Sequence, residues 1–124
     1  MDGGGQVTLT ERSFAFAVRI VKLCQSLDKQ PGVPRTLAHQ LLRSGTSVGA
    51  NIEEAQAGYS RAEFAAKMSI ACKEARETYY WLRLLVATEV VAASRVADLS
   101  DEANQLIAIL TTVVRTTKQQ GPAK

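Results

Sequence analysis

The chain predicts an all-α fold, an antiparallel up-and-down four-helix bundle, on three observations. Apolar residues recur at threes and fours along almost the whole length, two capping boxes and a Pro/Gly break punctuate that pattern, and no long run alternates apolar with polar residues. The one competing stretch, Val7-Thr8-Leu9-Thr10, is too short for a strand that would hold. Four long segments on short connections bury one stripe each most simply as a bundle.

Each element has its own signals. Residues 1–9 read as a flexible N-terminal tail, 10–118 as the bundle and 119–124 as a C-terminal tail. Thr8-Leu9-Thr10-Glu11 has the form of a capping box and opens a first helix over about Thr10–Asp28. Gln30-Pro31-Gly32-Val33-Pro34 ends it, and Pro34 suits the first turn of the second helix, which runs to about Ala57. Gly58 closes that helix, and Ser60-Arg61-Ala62-Glu63 is a second capping box. So short a connection makes the second and third helices antiparallel. The third helix spans about Arg61–Val90. A break is expected within Val91–Ser100, with Asp98 or Ser100 as N-cap of the fourth helix and Asp101 and Glu102 at its positive end. Leu106, Ile107, Leu110, Val113, Val114 and Thr117 are its apolar stripe.

Composition narrows the function classes. With 124 residues, 46% hydrophobic and 22% charged, the chain is one globular domain and not a disordered, collagenous or mucin-like protein. Arg, Lys or Glu interrupts every apolar stretch, so no membrane span is expected, and Met1–Gly5 lacks the pattern of a secretory signal. Cys24 and Cys72 are too few for a disulfide framework and read as buried thiols of a cytoplasmic protein. Six bases against three acids fall within residues 1–43, which carry the whole net charge of +3; nine of each follow. That balance permits nucleic-acid contact without requiring it.

The helical wheels carry more. In the first helix, Phe14, Val18, Val21 and Cys24 form one stripe and Phe16, Ile20, Leu23 and Leu27 a second, wider apart than one bundle core needs. Either the helix is deeply enclosed or the second stripe is a subunit interface; a small bundle has no deep centre, which favours the interface. In the third helix, Phe64, Met68, Ala71, Ala75, Thr78, Leu82 and Leu85 make the core seam. One flank carries Ile70, Trp81 and Leu84 among Glu63, Glu74 and Glu77. The other carries Lys73, Arg76, Tyr80 and Arg83. The flanks complement each other on neighbouring copies, a head-to-tail contact that closes into a ring if the rotation allows; alternatively they form an ordinary solvated face. In the second helix, Leu41, Val48, Ile52, Ala55 and Tyr59 follow the core period. Gly45 and Gly49 each cost about 1 kcal/mol relative to Ala there, which implies close backbone approach. Arg43, Ser47, Asn51 and Glu54 form a polar stripe that is either an internal network or a ligand contact.

Catalytic and metal patterns are missing. His39 has Thr36, not a carboxylate, three residues before it, so the Glu-x-x-His pairs of di-iron bundles are absent, and two distant cysteines with one histidine make no zinc site. Gly45-Thr-Ser-Val-Gly49 lacks the lysine of a phosphate-binding loop. No enzyme and no cofactor is expected. Bases beside an aromatic residue at Lys73, Arg76, Tyr80 and Arg83, together with Arg12, Arg19 and Lys22 of the first helix, suit phosphate contact and base stacking.

The run Gln40–Ala55, with its Ser-Val-Gly-Ala-Asn-Ile-x-Glu core at Ser47–Glu54, resembles the four-helix-bundle proteins named after the 23S ribosomal RNA intervening sequence. So do Tyr59–Phe64 and Lys73–Leu82, and the resemblance extends over about Phe14–Lys118. Asn51, Glu54 and Glu77 match the family's polar positions. The resemblance implies a homopentameric ring, and a similarity in architecture to the accessory proteins of diversity-generating retroelements, which bind a reverse transcriptase and RNA. The expected function is a non-catalytic scaffold for RNA or a ribonucleoprotein. The alternative is a protein-binding adaptor for a reverse transcriptase or other nucleic-acid-processing enzyme encoded nearby.

Overall fold

In a computed structural model that describes residues 7–58 and 60–120, four helices follow one another: α1 (Leu9–Leu27), α2 (Val33–Ala55), α3 (Arg61–Ala87) and α4 (Ala93–Gln119). Each packs on the next along the chain, and α4 returns to α1. No strand occurs among the described residues, and no helix is long and apolar enough to cross a membrane. The tail residues 1–6 and 121–124 and the seam position Tyr59 lie outside the described residues. Thr8 and Leu9, expected in the tail, belong to the cap and first turn of α1, and Gln119 still belongs to α4.

Both capping boxes form. Thr8 Oγ1 accepts the Glu11 amide at 3.0 Å while Glu11 Oε1 accepts the Thr8 amide at 2.9 Å. These bonds, the backbone one first, hold the Glu11 carboxyl below its ordinary pKa. Ser60 and Glu63 repeat the arrangement at the start of α3. Gly32 and Gly58 both take φ +90°, a conformation that L side chains rarely adopt, and bracket α2 with Pro34 in its first turn.

The end of α3 and start of α4 depart from expectation. α3 stops at Ala87, and Glu89 takes the left-handed conformation at φ 62°. Its amide bonds to the Val86 carbonyl, and the Val90 amide reaches back to the Leu85 carbonyl, both at 3.0 Å. This is the double bond of a Schellman turn, built on glutamate where glycine is usual. α4 then begins at Ala93, well before Asp98 and Ser100, on an Ala92 cap with no side-chain bond. Asp101 and Glu102 therefore lie inside the helix and not at its positive end. Burial of Val91, Val96, Leu99 and Ala103 holds this early start, so packing decides where side-chain capping chemistry does not.

The core contains Phe16, Ile20, Leu27, Leu41, Val48, Ile52, Met68, Leu82, Leu85, Leu106 and Leu110. The two stripes of α1 exchange roles relative to the sequence reading. Phe16, Ile20, Leu23 and Leu27, assigned to a subunit interface, are the side chains α1 buries in its own bundle. Phe14 and Val18, from the other stripe, are 63% and 38% exposed, while Cys24 is buried.

Gly45 and Gly49 behave as their cost implied. A Cβ at Gly45 would stand 2.7 Å from Ile20 Cγ2, and one at Gly49 would stand 3.3 Å from the Ser13 carbonyl oxygen. α1 and α2 therefore cross with almost nothing between them. Between α2 and α3, the buried hydroxyls of Ser44 and Thr78 lie 3.0 Å apart. α1 and α4 meet far more sparingly than any other neighbouring pair. Arg12 makes two hydrogen bonds to Glu102, at 2.7 and 3.0 Å, and one to Gln105, while Arg95 bonds to Ser26 Oγ at 2.5 Å.

Candidate functional site

Antiparallel pairing of α3 with α4 brings two rows of bases together. Lys73 and Arg76 lie one turn apart on α3, and Arg115 and Lys118 one turn apart on α4. All four line a groove of about 470 Å³ between the helices, with Ser69, Cys72, Thr111 and Val114 as its floor. Arg76 Nη2 donates to Thr111 Oγ1 at 3.3 Å, and Cys72 Sγ lies 3.4 Å from the same oxygen. At the end of the same helix pair, Arg61 Nη1 donates to the Gln120 carbonyl at 3.5 Å. Among the described residues no carboxylate lines the groove and none of its four cations forms an ion pair. A surface of this kind offers phosphates two guanidinium forks and two ammonium charges, and contacts to phosphate carry no base sequence.

The other predicted contacts are distributed differently. Tyr80 and Arg83 border a smaller hollow of about 150 Å³ with Leu84 and Ala87. Tyr80 is half exposed and meets Trp81 edge-on, and the Arg83 guanidinium lies 5.7 Å from the centre of the Tyr79 ring. Arg12 is not an open base: Glu102 holds it, and that hydrogen bond keeps the guanidinium still more firmly protonated. Arg19 and Lys22 lie on α1 away from the groove and share a pocket with Arg95 at the start of α4. The structure thus divides the predicted basic surface into separate patches and adds Arg115 and Lys118, which the reading by charge excess missed. Their signal was present in the spacing of Thr111, Arg115 and Lys118 along one face of α4. Only the register of α3 against α4 shows that this face meets Lys73 and Arg76.

The acidic flank of α3 is also engaged within the chain. Arg43 of α2 reaches Glu74 at 3.3 Å and pairs with Glu77, whose carboxylate accepts the Trp81 indole N–H at 3.0 Å. Glu74 and Glu77 therefore share one cation inside a single copy, which lowers the negative charge this flank offers to a head-to-tail contact by half. Ile70 remains 40% exposed on this flank, with Leu84 and Trp81 half-buried. In the polar stripe of α2, Arg43 supplies the link between helices. Ser47 bonds to the Arg43 carbonyl and Asn51 to the Ser47 carbonyl, both at 2.8 Å, while Glu54 points to solvent.

Cys24 donates to the Ala38 carbonyl at 3.3 Å, and burial, helped by the charge of Asp28, pushes its thiol up to about 11. His39 stands on the surface, 3.5 Å from Asp28. Among the described residues, no group of three or more His, Cys, Asp or Glu side chains converges where a metal could be held.

The sequence pattern of the family described as 23S rRNA-intervening sequence protein matches residues 6–112. The chain is also similar to a protein of unknown function from the S23 ribosomal protein family of Bacteroides thetaiotaomicron, known from its crystal structure. The two superpose with a TM-score of 0.80 at 39% identity, over 86% of this chain and 98% of that one. No curated protein matches the chain.

Proposed function

The chain belongs to the 23S rRNA-intervening sequence protein family, and from that premise we propose that it is a non-catalytic, self-associating scaffold that binds RNA or a ribonucleoprotein. The observation that carries the reading is the groove between α3 and α4, where four cations from two helices stand together with no carboxylate among the described residues of the lining. Their side chains are long enough to follow a phosphate backbone, and a contact made to phosphates is tolerant of sequence. Self-association uses the outer face of α1, where Phe14, Val18 and Val21 leave an apolar stripe that the bundle does not cover. A homopentameric ring repeats the groove and multiplies weak phosphate contacts.

Binding of a fluorescent single-stranded RNA, titrated across salt concentrations, tests this reading. Four phosphate contacts per bound copy give a log–log slope of about −3. Lys73→Glu combined with Arg115→Glu abolishes binding while the sedimentation coefficient stays that of the native protein. Salt-independent binding, or binding that survives the double variant, overturns the groove assignment.

A second reading rests on the same apolar stripe. A protein-binding adaptor, for an enzyme that processes nucleic acid, would use Phe14 and Val18 against its partner and leave the groove idle. Capture of such an enzyme from nuclease-treated lysate, lost in Phe14→Ser and kept in Lys73→Glu, would favour it.

A further inference from the structure

The seam between α1 and α4 holds a second cationic pocket, of about 280 Å³, near the start of α4, whereas the groove proposed to hold RNA lies toward its end. Arg19 and Lys22 reach it from α1 and Arg95 from α4, over a floor of Leu23, Val96 and Leu99. We propose that Arg19, Lys22 and Arg95 form a phosphate-binding clamp that joins α1 to α4.

Three observations carry this assignment. The three cations come from two helices and face one pocket with no carboxylate among the described residues of its lining, so nothing in the lining offsets their mutual repulsion. Glu102, the acid on the same seam, is already held by two hydrogen bonds from Arg12. The seam is also the place where the bundle packs least, so an anion bridging it adds contact where the helices supply little of their own.

Arg95 is already oriented by its bond to Ser26, and its planar fork suits two oxygens of one phosphate, while Lys22 supplies a point charge. The floor is apolar and buried, which lowers the local dielectric constant and strengthens each contact. The shared chemistry is a phosphate oxyanion, whether free or part of a phosphodiester.

Thermal unfolding of the full chain at matched ionic strength tests the clamp, with inorganic phosphate, pyrophosphate and a short RNA as separate probes. A ligand of the folded state alone raises the midpoint with concentration. Midpoints that rise with the free anions identify phosphate itself; a rise with RNA only identifies a phosphodiester. Either supports the clamp, provided Arg19→Gln with Lys22→Gln moves the response to about tenfold higher ligand concentration. Those two side chains hold no other element in place, so the variant remains folded, whereas Arg95→Gln also loses the tie to Ser26. Lys73→Glu with Arg115→Glu keeps the response to free phosphate and pyrophosphate, which separates this site from the RNA groove. No rise with any probe, or a rise unchanged in the Arg19/Lys22 variant, overturns the clamp.

Discussion

Against α2, the first helix meets backbone: Gly45 and Gly49 have no side chain at the crossing, and Ile20 and Ser13 fill the space directly. Against α4, the same helix uses the longest side chains it has, with Arg12 spanning to Glu102 and Gln105, and Arg95 of α4 spanning to Ser26. The α2 seam is therefore specified by shape and excludes an added side chain at Gly45, with Gly49 only slightly looser. The α4 seam is specified by charge and leaves room for solvent or an anion. Two faces of a single helix thus divide the tasks of fixing the fold and remaining open to ligand.

The comparison breaks first at Gly45. Gly45→Val places a branched side chain where even a Cβ would be 2.7 Å from Ile20, and lowers stability by about 3 kcal/mol in denaturant titration. Pairing it with Ile20→Ala recovers part of the loss if the clash is local, whereas additive losses would show that the crossing is not the cause. On the other seam, Arg12→Gln costs only about 1 kcal/mol, because the pair is partly open to water and a sparse contact is lost. A loss as large as that of Gly45→Val would erase the distinction between the seams.

Phe14→Ser should shift the unfolding free energy by less than about 0.5 kcal/mol in the single chain, since the ring is 63% exposed. Sedimentation should nevertheless show smaller particles, and unchanged particle size would remove the α1 stripe from the proposed interface. The smallest effect concerns pH. Glu11 has a lowered pKa in the folded chain, so the stability it lends is present above the ordinary carboxylate range and is lost as pH falls through its folded value. Protection factors of the amides in the first turn of α1, corrected for the intrinsic pH dependence of exchange, should then fall in acid, and Glu11→Gln should flatten that dependence.

Local rules made much of the architecture legible. Capping boxes at Thr8 and Ser60, the Pro34 start and the Gly58 stop were all readable because neighbouring residues alone satisfy those backbone groups. The start of α4 was not, because no side chain caps Ala92 and the signal is the burial of residues that only the folded bundle brings inside. The two stripes of α1 were both visible. Periodicity ranks two apolar arcs equally, however, and the glycines that choose Ile20 for the core lie on another helix. The groove was hidden by arithmetic: residues after Arg43 balance to zero charge, yet Glu74 and Glu77 turn to Arg43 on one flank of α3 and leave Lys73 and Arg76 without an acid partner on the other.

Glu89 bears on how the molecule could be engineered. A residue with a Cβ occupies the left-handed corner between α3 and α4, and the helix that follows begins without a polar cap. Glycine at Glu89 and serine or aspartate at Ala92 are each worth up to about 1 kcal/mol, and neither position lines the RNA groove or the proposed clamp. The corner is thus a reserve of unrealised robustness, available to offset the losses that probing variants elsewhere in the protein would incur.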